Sequence, residues 1–208
     1  MAYDTWPQIH AERAALADRL GALPDDDWSK PSLCAGWSVK DVAAHITATG
    51  HITAGSFLAG FLGAGFKFNA FAQKAMEPYR AMSNAQLVQE LRQTASMTAH
   101  PPGPKQTPLG EIVVHAEDIG RALGQRWTYP EATLVAVAHY LKKTQPLIGA
   151  KKRIAGLRLE ATDAPWTTGS GPEVKGPAAS LILAMAGRRV GTDDLTGPGV
   201  DQLKTRTS

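Results

Sequence analysis

One cysteine, Cys34, stands in a chain of 208 residues. That scarcity rules out an internal disulfide and any zinc site built from several cysteines, so a metal here must be held by histidine and carboxylate. No dense basic run occurs beyond Lys151-Lys152-Arg153, and a net charge of +3 spread along the chain gives no support to nucleic-acid binding. The first residues, Met-Ala-Tyr-Asp-Thr-Trp-Pro, lack a basic start, an apolar core and a small-residue cleavage site. The expected location is therefore cytoplasmic. The longest apolar stretch, Ala54 to Ala72, is broken by Gly60, Gly63, Gly65, Lys67 and Asn69, short of the roughly 20 apolar residues a spanning helix needs. It reads as a buried helix end followed by a loop that lines a pocket.

With 43% apolar and 20% charged residues, the composition is that of a folded, water-soluble protein. Trp6 to Leu23 shows helical spacing of Ile9, Leu16 and Leu20 between charged residues. Ser38 and Asp41 form a capping box that opens a second helix, expected to run through His45 to about Leu62. Ser83 caps a third, from Asn84 to about Thr98, which Pro101-Pro-Gly-Pro terminates. Thr107-Pro108 starts a fourth that ends near Gly124. Pro130 to Leu147 predicts a fifth. The pattern changes after residue 150. Ile154 to Thr162 alternates apolar and polar residues as a strand does, a hairpin through Asp163-Ala-Pro leads to Trp166-Thr-Thr, and an apolar helix spans Ala178 to Ala186. The fold class expected is mainly α: a four-helix bundle over 1–150 and a small α+β domain over 151–208.

Glu111 and His115 are four apart in the fourth helix and so share one face, one turn apart. His45 lies within an apolar helical stretch, Asp-Val-Ala-Ala-His-Ile. Two imidazoles and one carboxylate leave open positions on zinc or a similar divalent ion, the pattern of a catalytic site. Asp118, seven residues after Glu111, returns to nearly the same angle and could bond a ligand histidine or touch substrate. Spacing alone leaves other readings open, since His45 reads more readily as a core histidine bonded to a carbonyl. His10, His51, His100 and His139 read as surface or structural, Asp41 as a cap, and Cys34 as a loop residue with no histidine partner nearby in sequence.

Two longer motifs sharpen the reading. Trp28-Ser-Lys-Pro-Ser-Leu-Cys-Ala-Gly-Trp-Ser-Val-Lys-Asp-Val-Ala-Ala-His and Gly-Glu-Ile-Val-Val-His-Ala-Glu-Asp-Ile-Gly-Arg-Ala-Leu resemble the two metal segments of the mycothiol-dependent maleylpyruvate isomerase family, a branch of the DinB/YfiT-like metalloenzymes. Gly-Pro-Ala-Ala-Ser-Leu-Ile-Leu-Ala-Met-Ala-Gly-Arg and Asp-Leu-Thr-Gly-Pro-Gly-Val resemble that family's C-terminal domain. The resemblance implies a DinB-like bundle, zinc on His45, Glu111 and His115, mycothiol as thiol cosubstrate, and a functional arginine matched by Arg188, with Arg189 beside it. Asp118 joins Arg188 as the expected catalytic pair. The implied activity is isomerisation or S-transfer on a small electrophilic substrate. A metal-dependent hydrolase and a non-catalytic ligand-binding or stress-response protein on the same scaffold are the alternatives. Nucleic acid and membrane are not expected as partners, and a monomer or homodimer is.

Overall fold

The computed structural model describes residues 4–145 and 148–207. Contacts divide the chain into two compact units, Met1–Gln125 and Arg126–Ser208. Both are mainly helical, and a small three-stranded sheet lies in the second.

The first unit holds α1 (Trp6–Gly21), α2 (Val39–His51), α3 (Ala54–Gly63), α4 (Phe68–Arg80), α5 (Asn84–Thr94) and α6 (Thr107–Ala122). Helices α1, α5, α2 and α6 pack in a ring, each against the next, while α4 lies on α2. The side chains that fill the ring are those with helical spacing: Ile9, Leu16 and Leu20 from α1, Val42 and Ile46 from α2, Leu87 and Leu91 from α5, and Leu109, Val113 and Ile119 from α6. The expected capping box opens α2, and Ser83 caps α5 as expected. The Ser38 hydroxyl accepts from the Asp41 amide while Asp41 accepts from the Ser38 amide, and Ser83 and Gln86 repeat the pattern at α5. Proline opens α6, and Gly124 just beyond its end adopts a left-handed φ of 70° that a Cβ would oppose.

The second helix departs from expectation. It ends at His51, and a further capping box, Thr53 with Ser56, starts α3 instead. The stretch from Ala54 onward is therefore neither a buried helix end nor a pocket loop. It is a helix-turn-helix, with Gly65 and Phe66 both left-handed in the turn, and no residue of α3 is buried.

The second unit contains α7 (Glu131–Leu141), α8 (Ala150–Arg153), β1 (Arg158–Ala161), β2 (Thr167–Gly169), β3 (Glu173–Gly176), α9 (Ala178–Met185) and α10 (Val200–Lys204). The expected end of the fifth helix at Leu147 lies outside the described residues. Helix α7 packs on α9, which places it with the second unit, ahead of the composition change near residue 150. Strand β1 pairs antiparallel with β2 through the expected hairpin, with Leu159 opposite Thr168. On its other side it pairs in parallel with β3, Leu159 opposite Val174. Leu159 and Val174 are buried, and α9 packs on both strands.

Candidate functional site

Helices α2 and α6 bring His45 and His115 together. Their rings meet edge to face with centroids 5.1 Å apart. His45 is 9% exposed, and the Trp37 ring from the preceding loop stands 5.2 Å from it. Burial, and then the neighbouring His115, pull the His45 pKa down to about 3. This imidazole is therefore neutral at physiological pH, the form in which histidine ligates metal.

His115 is held from behind. Its Nδ1 donates to Asp118 Oδ2 at 2.9 Å, one turn further along α6, where Asp118 is wholly buried. With Nδ1 committed to a carboxylate, Nε2 is the nitrogen left to face a ligand. Burial opposes a charge on this ring. The hydrogen bond to Asp118, that with Cys34 and the charge of Asp118 outweigh the burial and raise its pKa to about 10.

Glu111 lies one turn before His115 on α6 and is partly buried. Burial raises its carboxyl pKa, against the opposing pull of His115 and Arg13. Arg13 reaches from α1 and is 2% exposed. One of its guanidinium nitrogens donates to the Thr94 and Met97 carbonyls, each at 2.9 Å, tying α1 to the end of α5.

The residue that sequence spacing missed is Cys34. Its thiol donates to Asp118 Oδ2 at 3.1 Å and lies 3.6 Å from His115 Nδ1. The loop that carries it is anchored by the Leu33 amide, which donates to the Asp118 carbonyl at 3.1 Å. Among the described residues, the ligand-type atoms of Cys34, His115 and Asp118 all fall within 4.8 Å of one another. That partnership spans 81 and 84 positions of sequence, where no helical spacing could signal it.

The expected ligands are thus distributed as follows. His45 and His115 are in ring contact, Glu111 shares the helix and the electrostatic environment of His115, and Asp118 backs His115. Arg188 belongs to the second unit, partly buried just after α9, where one guanidinium nitrogen donates to the Ala186 carbonyl at 2.9 Å. Arg189 beside it is exposed. The remaining histidines have partners outside the site: His10 bonds the Met97 carbonyl, His51 pairs with Glu90, His100 bonds the Pro101 carbonyl and His139 stacks edge-on with Trp166.

Imidazole and carboxylate are ligand types that zinc accepts. Among the described residues, however, the set whose ligand-type atoms all lie within 4.8 Å of one another is Cys34, His115 and Asp118, and not His45, Glu111 and His115.

Residues 9–127, more than half of the chain, match the family model described as the mycothiol maleylpyruvate isomerase N-terminal domain. The fold is similar to the crystal structure of the mycothiol-dependent maleylpyruvate isomerase, with a TM-score of 0.62 at 16% identity over 93% of this chain and 91% of that one. A histidine-to-alanine variant of that isomerase gives a TM-score of 0.61 at 15% identity over the same shares. At these identities the likeness is one of fold. No curated protein matches the sequence.

Proposed function

The chain belongs to the mycothiol maleylpyruvate isomerase N-terminal domain family, and from that membership we propose that it is a metal-dependent enzyme using mycothiol on a small electrophilic substrate, as an isomerase or an S-transferase. The observation that carries this reading is the His45–His115 contact, with Asp118 behind His115.

His45, Glu111 and His115 would hold the cation. When bound there, a divalent ion such as zinc favours the thiolate form of a small thiol at neutral pH. The protein's own groups prepare for that. Burial keeps His45 uncharged, Asp118 holds the ring orientation of His115, whose Nε2 would give up its proton to a bound ion, and Glu111 would contribute negative charge that offsets the ion. The thiolate sulfur would form a bond to an electrophilic carbon of the substrate as the double bond opens. Expulsion of the sulfur after rotation about the resulting single bond returns the thiol and gives an isomer, whereas protonation with the sulfur retained gives a thioether. Arg188, whose planar guanidinium matches a carboxylate, is the proposed anchor for an acidic substrate.

A second assignment has its own support. Cys34, His115 and Asp118 present a compact set of ligand-type atoms, and a cation held there would use the Nδ1 side of His115. Metal content of purified variants separates the two. His45→Ala is expected to lose bound metal while Cys34→Ala keeps it, by mass spectrometry of the intact protein. Full metal content in His45→Ala, with loss in Cys34→Ala, would transfer the site to the cysteine cluster. Incubation of the metal-loaded enzyme with mycothiol and a panel of electrophiles then tests the thiol chemistry, with isomerised product or a thioether as the expected outcome. Ester or amide hydrolysis that proceeds without thiol would replace it with a hydrolase.

A further inference from the structure

The α3–α4 hairpin has a surface at odds with its composition. No residue of α3 is buried, and Leu58, Leu62, Phe66 and Phe68 are 58%, 51%, 67% and 41% exposed. The inner side of α3 leans on α4 through Phe57 and Phe61 against Phe71, and Gly60 brings its backbone close to the Phe71 ring. The outer side is apolar as well. The single polar side chain within α3, Ser56, is occupied with Thr53 in the helix cap. A helix that is apolar on all sides sits either in a protein core or in lipid, and this one is in no core.

Length and charge narrow the choice. Ten residues are far too few to cross a bilayer, and among the described residues no helix is long and apolar enough to do so. Between Asp41 and Glu77 there is no acidic residue, while Lys67, the residue before α4, and Lys74, midway along it, are exposed and, seven positions apart, share one side; Glu77, one turn beyond Lys74, is the single acid of the hairpin. A second copy of this hairpin would bring the same two lysines and the α4 arginine, Arg80, against a single acid, Glu77, so two copies meet with like charge in excess. An anionic bilayer surface supplies an apolar medium for the aromatic and leucine side chains and phosphates for the excess positive charge beside them.

We propose that the α3–α4 hairpin is a membrane-surface anchor, immersing Leu58, Leu62, Phe66 and Phe68 in the outer part of an anionic phospholipid bilayer with Lys67 and Lys74 at the headgroup phosphates. The long lysine stems allow the ammonium groups to stay at headgroup level while the rings and leucines go deeper. The hairpin serves this role whatever chemistry the His45–His115 site performs.

Cosedimentation of the full chain with phosphatidylcholine vesicles, with and without phosphatidylglycerol, provides the test. Binding is expected to the phosphatidylglycerol-containing vesicles, weakened about tenfold or more by Leu62→Asp and likewise by Lys67→Glu with Lys74→Glu. Because these side chains are exposed, the thermal midpoint should be unchanged. Phe66→Trp should give a blue-shifted emission when the same vesicles are added. Absence of binding, or binding indifferent to Leu62→Asp, overturns the anchor. So does a stable dimer in light scattering that Leu62→Asp dissociates, which would assign the face to self-association.

Discussion

The Asp118 carboxylate oxygen that accepts from His115 Nδ1 at 2.9 Å also accepts the Cys34 thiol at 3.1 Å. One buried oxygen thus joins α6 to the loop that precedes α2, and the imidazole it fixes is the one in ring contact with His45. Asp118→Asn keeps the shape but removes the charge that makes His115 a better ligand. Metal affinity should fall about 10- to 100-fold, as for other carboxylates behind ligating histidines. Competition against a chromophoric chelator measures it, and an unaltered affinity would show that His115 does not ligate through Nε2.

Arg13 makes a separate prediction, about the scaffold. Its guanidinium is 2% exposed and satisfies the Thr94 and Met97 carbonyls at the end of α5. Burial lowers its pKa to about 10, partly countered by Glu111, so it remains charged at neutral pH. Arg13→Met keeps much of the volume but leaves both carbonyls without this donor and Glu111 with one cation fewer nearby. The expected cost is about 3 kcal/mol of folding free energy, read from urea denaturation midpoints. A loss under about 0.5 kcal/mol, the range of an ordinary surface substitution, would show that water replaces the guanidinium at no cost.

Much of this arrangement is readable from short-range chemistry. Ser38 with Asp41, Ser83 with Gln86, and Thr107-Pro108 are local signals whose meaning does not depend on the rest of the fold, and each helix starts where they place it. Glu111, His115 and Asp118 likewise share a face because helical periodicity alone dictates it. The break at Ile52 was hidden because the apolar sequence continues through it and its capping box uses Ser56 at the third position, where Glu or Gln gives the usual signature. Strand β3, Glu-Val-Lys-Gly, carries one apolar side chain, Val174, so alternation has nothing to repeat. The Cys34 contact depends on how a loop folds back over α6, which no periodicity encodes.

His45 supplies the pH prediction, on protein stripped of metal by chelator. In the fold its pKa lies near 3, pulled down by burial and then by His115, whereas an unfolded histidine titrates near 6.5. Between those values the unfolded chain binds the proton and the folded one does not, so stability falls as pH falls through that window. The slope from one proton is about 1.4 kcal/mol per pH unit. His115 opposes this near pH 6.5, where its unfolded form titrates, but not below about pH 5.5, where it is protonated in both states because its folded pKa is raised to about 10. Its own contribution is present below about pH 6.5 and is lost only as pH rises toward 10. Urea denaturation of wild type and His45→Gln across pH 4 to 8 separates the effects, since the substitution removes the titrating ring and retains a polar side chain. The difference in stability between the two proteins should change steadily from pH 6.5 downward, against the wild type. A difference that stays constant with pH would mean that the imidazole gains its proton in the folded state as readily as in the unfolded one, and that the neutral ligand inferred for this position is not formed.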